Sequence, residues 1–174
     1  MRRISLLLAL ITFNLSSQEI KRVDSEKSFI NYTGKHFLHK WSAENKNISG
    51  LIQIENESIS NIGIVAKVSD FKSGNSSLDS NSLRVLEALQ FPNVIFKSTI
   101  VNQEDGQIMF EGIMNFHGIE KDFSILAEIT QLNEITQLSG KFIVSLTDFL
   151  VERPSLLTRK IDDEINLKFD LYFK

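Results

Sequence analysis

The sequence predicts an all-β domain, an extended antiparallel barrel of about eight strands carrying one short helical insert. Three observations carry that expectation. Apolar and polar residues alternate over most of the chain, most cleanly at Ile165, Leu167, Phe169, Leu171 and Phe173, and a period of two sends alternate side chains to opposite faces of a strand. Turn-forming pairs such as Asp105-Gly106 and His117-Gly118 separate these runs after short intervals. Only residues 80–99 change period, through an apolar stripe at Leu83, Leu86 and Leu89 that matches one face of a helix.

Taken in order, residues 20–23 suit a short leading strand, and 28–33 and 36–43 suit extended segments joined at Gly34. Residues 48–55 and 59–69 alternate as a pair, and Asn56-Glu57-Ser58 between them predicts a tight hairpin. A polar, serine-rich connection over 72–82 leads to the helix, for which Ser80 or Ser82 is the expected cap. Pro92 ends it, because proline lacks an N–H and holds Phe91 extended. Strands follow over 94–101, 108–116, 123–129, 138–146 and 165–173. A sandwich also satisfies this pattern. Long strands need curvature, however, and Gly50, Gly63, Gly112 and Gly140 fall inside strands, where glycine marks a bend or a close approach, so the barrel is preferred.

Residues 1–17 combine Arg2 and Arg3 with an apolar run over 4–13 and small polar residues at Ser16 and Ser17, the layout of a signal peptide. The apolar run is too short to span a bilayer core of roughly 30 Å. The expectation is cleavage near Ser17, a domain over 18–174, no transmembrane segment in the mature form, and a periplasmic or secreted destination. The whole chain carries a net charge of −3; without Arg2 and Arg3, 17 basic residues face 22 acidic ones, about −5. That balance argues against nucleic acid and anionic membranes as partners, since both reward clustered Lys and Arg. With no cysteine there are neither disulfides nor thiolate metal sites.

No residue set points to catalysis. A metal site needs three or four converging ligands, and His36 and His39, read as a strand, face opposite ways. The carboxylate run Asp162-Asp163-Glu164 reads as a solvated turn, and no nucleophile elbow occurs. Neither metal nor cofactor is expected. A barrel of about eight strands is either filled by its own side chains or holds one slender ligand. Alternation alone favours the solid core.

Three stretches resemble the YceI-like family, lipocalin-like polyisoprenoid-binding proteins of bacteria. Phe91-Pro92-Asn93-Val94-Ile95-Phe96-Lys97-Ser98-Thr99 is similar to its YP-x-I-x-F-x-S stretch, and residues 112–121, GIMNFHGIEK, to its G-x-L-T-x-H-G-V-T-K turn. Leu38-His39-Lys40-Trp41 with Asn47-Ile48-Ser49-Gly50 is similar to its opening H-x-W and v-x-G. The segment 73–90 is shorter and more neutral than in many members, and Leu51 stands where an aromatic is common. The resemblance implies a non-catalytic, exported, lipocalin-like barrel enclosing an isoprenoid-like or other amphipathic lipid, with helical elements near the opening. The expected lining is Trp41, Ile52, Ile64, Phe96, Phe110, Met114, Phe123, Phe142, Val144 and Phe169. A charge at Phe110 should abolish loading with limited loss of fold. The competing reading is an assembly protein with a filled barrel, recognised by an apolar patch at outward residues such as Ile113 and Ile143; a homodimer stays open.

Overall fold

The computed structural model describes residues 18–156 and 158–174; the expected signal peptide lies outside the described residues. Ten strands form one antiparallel sheet. The first four are β1 (Gln18–Arg22), β2 (Phe29–Lys35), β3 (Lys40–Asn45) and β4 (Ile48–Glu55). Next come β5 (Ser58–Lys67), β6 (Asn93–Glu104), β7 (Gln107–Phe116), β8 (Ile119–Leu132) and β9 (Ile135–Ser145). The small hairpin β10 (Ser155–Leu156) and β11 (Arg159–Lys160) stands apart from the sheet, and β12 (Glu164–Phe173) ends the fold. The spatial order is β1-β4-β5-β6-β7-β8-β9-β12-β2-β3, so β4 to β9 run as an uninterrupted meander.

The sheet curls until its first and last parts meet. Val23 N–H donates to the Gly50 carbonyl of β4, while Val23 is also bridged to Phe173 of β12. Arg22 and Lys174 exchange both of their backbone hydrogen bonds, 2.8 and 2.9 Å long. The short β1 therefore closes the seam between β4 and β12 that β2 leaves open further along. At the other free edge β3 is tied by the bridge of Glu44 to Lys72 and by Asn45 Nδ2 donating to the Lys67 carbonyl. Bridged edges leave less strand available for pairing with other chains.

The turns are set by local chemistry. Asn56 and Glu57, and then Asp105 and Gly106, each take positive φ at both positions, the geometry whose twist matches the flanking strands of a hairpin. His117 and Gly118 do the same, at φ 52° and 74°. Among the strand glycines, Gly112 lies opposite the register shift of β6 between Ser98 and Ile100, where β6 presses directly on its Cα. Gly63 has open space where a Cβ would stand, so its expected close approach does not occur.

The helix begins earlier than its apolar stripe suggested. Helix α1 spans Ser76–Val85, and its cap is Asn75 rather than Ser80 or Ser82. The Asn75 side chain accepts from the N–H groups of Ser77 and Leu78, at 3.0 and 3.1 Å. A good cap thus overrides the weak helix propensity of the serines that follow. The helix stops at Leu86 because Glu87 adopts φ 45°, a left-handed position, and Leu89, counted above in the stripe, is fully exposed. The inward row is instead Leu78, Asn81, Ser82 and Val85, at helical spacing.

Candidate functional site

The inward faces of the strands do not all meet. Ile52, Ile108 and Phe173 are fully buried in a packed core, whereas towards α1 the walls stand apart and leave a cavity of about 480 Å³. Trp41, Ile64, Phe96, Phe110, Met114, Phe142, Val144 and Phe169 all line it. Two expected lining residues do not. Ile52 belongs to the packed core without reaching the cavity wall. Phe123 packs edge-on to Phe142, ring centroids 5.7 Å apart, and so stands behind a lining residue. It does so because the β8–β9 ladder ends at Ala127 and Gly140, leaving the earlier part of β8 free to diverge from β9. Phe110 is 2 % exposed. A charge placed there would be desolvated among apolar neighbours, so a fall in stability is expected beside the loss of loading.

Sequence reasoning missed most of the mouth, which three elements far apart in the chain assemble. These are α1 with Leu78, Asn81, Ser82, Arg84 and Val85, the β2–β3 turn with His36 and His39, and the β10–β11 hairpin with Pro154, Ser155 and Ile161. Most of the polar lining sits on these elements, above a hydrocarbon-lined interior. His36 and His39 lie in a turn, not on a strand: each donates its N–H to the other's carbonyl, at 2.9 and 3.2 Å. Their rings therefore come within 6.0 Å instead of facing opposite ways. His36 Nε2 faces the Arg159 carbonyl at 3.2 Å, so it is the protonated nitrogen, and Nδ1 is buried without a partner. Trp41 lies flat on Gly34, where any Cβ would strike its ring. Among the described residues no group of three or more His, Asp or Glu side chains could hold a metal ion.

Helix α1 covers the mouth on a small number of polar ties. Tyr32 Oη and Ser82 Oγ lie 3.4 Å apart, and burial pushes the Tyr32 hydroxyl above its usual range. At the start of the helix the Ser73 hydroxyl and then the Ser73 N–H donate to Asp79, lowering its pKa against a smaller opposing effect of burial. Beyond the helix the Glu87 carboxylate lies 2.9 Å from His117 Nε2, while His117 Nδ1 donates to the Phe149 carbonyl at 3.1 Å. A carboxylate whose folded pKa is lowered stabilises the fold above its ordinary pKa and loses that contribution as pH falls through the lowered value. Acidification below the ordinary carboxylate range of about 4 should therefore loosen residues 76–85. Amide-exchange protection factors measure this, and Asp79→Asn should show the same local loosening at pH 7; equal protection in both proteins at both pH values would refute it.

With the cavity in place, comparison with known proteins is decisive for kinship. The model of the YceI-like domain matches residues 22–173. The chain belongs to the YceI-like family. Among solved structures it is similar to BcnA of Burkholderia cenocepacia, with 17% identity, a TM-score of 0.78, and 86% of this chain and 98% of that chain covered. It is also similar to a polyisoprenoid binding domain from Saccharophagus degradans, at 11% identity and a TM-score of 0.72, covering 88% of this chain and 97% of the other. The YCEI protein of Campylobacter jejuni follows at 14% identity and a TM-score of 0.64, with 98% and 91% covered. No curated protein matches the chain. These TM-scores show a shared fold, and family membership accounts for the lipocalin-like barrel that the motifs implied. No helix among the described residues is long and apolar enough to cross a membrane.

Proposed function

We propose that this YceI-like protein is a non-catalytic carrier that holds one isoprenoid or other amphipathic lipid in its barrel, in the periplasm or outside the cell, for transport or storage. The observation that carries this reading is the 480 Å³ apolar cavity with its polar rim on one side. Its volume falls within the roughly 300–1,000 Å³ of small-molecule sites. Each methylene taken from water contributes about 0.8 kcal/mol before the cost of ordering the ligand. A hydrocarbon chain would lie between Phe96, Met114, Phe142 and Phe169, its polar end beside Tyr32, His39 and Arg84. The similar Saccharophagus degradans protein is a polyisoprenoid binding domain, which supports the same ligand class.

The assembly-protein reading gains less. Ile113 and Ile143 are exposed, at 40% and 51%, but Ile113 pairs across the sheet with Lys97 and Asp122 and Ile143 with Asn166. These are single apolar residues among polar neighbours. Organic extraction of the purified protein followed by mass spectrometry should release an apolar molecule in stoichiometric amount. Protein that is empty as isolated and takes up no isoprenoid or acyl chain from solution would refute the carrier reading.

A further inference from the structure

A carrier of a poorly soluble lipid has to meet the membrane that supplies or receives it, and one end of this barrel differs from the rest of the surface. At the tip of the β2–β3 turn Phe37 and Leu38 are 50% and 55% exposed, although both are large and apolar. They adjoin His36 and His39, which line the cavity mouth. Lys35 and Lys40 flank them as a cross-strand pair. From more than a hundred residues away the β10–β11 hairpin adds Arg159 and Lys160; the Arg159 guanidinium lies over the Phe37 ring at 5.0 Å, and its carbonyl meets His36. All four cations are exposed. Among the described residues only Asp162 offsets them by an ion pair, 3.9 Å from Lys35. On a chain of net charge −3 this is a local reversal of sign, one that sequence spacing could not reveal because its two halves are distant in the chain.

We infer that the β2–β3 turn, with Arg159 and Lys160 of β11 beside it, docks on an anionic lipid bilayer and holds the cavity mouth against it. Lys and Arg approach the charged headgroups while Phe37 and Leu38 enter the boundary beneath them, the division of labour seen in interfacial binding. The apolar guest can then pass between bilayer and barrel without crossing water. The inference deepens the carrier reading and rests on it for its purpose, but its test is separate.

The chain contains no cysteine, so Lys40→Cys creates one labelling site at the rim for a polarity-sensitive fluorophore. The labelled full chain is mixed with vesicles of phosphatidylcholine alone or with phosphatidylglycerol added. The expected result is a blue shift on the anionic vesicles, with at least tenfold weaker partition on neutral ones. Raising salt from about 0.1 M to about 1 M, which shortens the screening length from about 10 Å to about 3 Å, should weaken it similarly. In this background Phe37→Asp with Leu38→Asp should abolish the shift, and Arg159→Glu with Lys160→Glu should cut it at least tenfold. Both variants should still take up a pyrene-tagged acyl chain added from solvent, which shows that they fold. No shift on anionic vesicles, an equal shift on neutral ones, or a shift that survives the double aspartate variant overturns the inference. Uptake without docking leaves the carrier reading intact; docking without uptake removes the carrier reading and leaves the membrane surface standing.

Discussion

Ala66→Phe is expected to empty the barrel without harming it. Ala66 is buried on β5 and lines the cavity, at the border between the packed core and the space between the walls. A benzyl group there occupies volume that no side chain now fills, so the usual cost of overpacking a close-packed core does not arise. Filling a void adds dispersion contacts, and such substitutions commonly stabilise. Lipid loading, read by extraction and by titration with a fluorescent acyl chain, should fall at least tenfold, which is about 1.4 kcal/mol of binding free energy. The melting temperature should hold within about 3 °C of the parent, since each kcal/mol moves a domain of this size by roughly 2–4 °C. A variant that melts several degrees lower would mean that the walls already touch at Ala66. A variant that loads normally would place the guest elsewhere.

That experiment bears on the part of the site the sequence left undecided. Alternation told which residues point inward, because a one-residue slip would send Ile165, Leu167, Phe169, Leu171 and Phe173 to solvent, and pattern therefore fixes face. It could not tell whether opposing inward residues meet. Ile108 and Phe96 read alike in sequence, yet Ile108 is wholly buried in the packed core and does not reach the cavity, while Phe96 borders it and keeps some exposure. The distance between walls depends on sheet curvature, and curvature depends on bulges and closures such as the register shift at Ser98 and the bridge at Val23. The mouth was less legible still. Its histidines were read as strand residues because 36–43 is aromatic and apolar, whereas the pairing of Lys35 with Lys40 leaves only four residues to turn the chain. The β10–β11 hairpin pairs two residues with two, too few for any period to show. The helix was found but its cap was placed five or seven residues too late, since its true start depends on one asparagine cap rather than on apolar spacing.

Gly112→Ala should be among the most damaging single-methyl additions to this fold. An ideal Cβ at Gly112 would fall inside contact distance of the Lys97 carbonyl oxygen and 2.5 Å from Ser98 Cα. Both obstacles are backbone, so no side-chain rotation relieves them, and β6 must move. The same point carries the β6 register shift between Ser98 and Ile100, so movement there resets the pairing that aligns Phe96 opposite Met114. Phe110 and Met114, two residues to either side of Gly112 on one face of β7, would shift with it, and Phe96, Phe110 and Met114 all line the cavity. The expected loss is about 3 kcal/mol, the scale of forced overpacking against a fixed neighbour. For a chain of 174 residues that lowers the melting temperature by about 6–12 °C. Gly63→Ala is the matched control, because it adds the same methyl inside β5, on the other side of β6, where nothing lies within 4 Å; restricting the unfolded chain should leave it neutral or more stable by under about 1 kcal/mol. If the two alanine variants melt together, the close approach of β6 to β7 is not what sets the curvature, and the cavity must owe its width to the seam at Val23 instead.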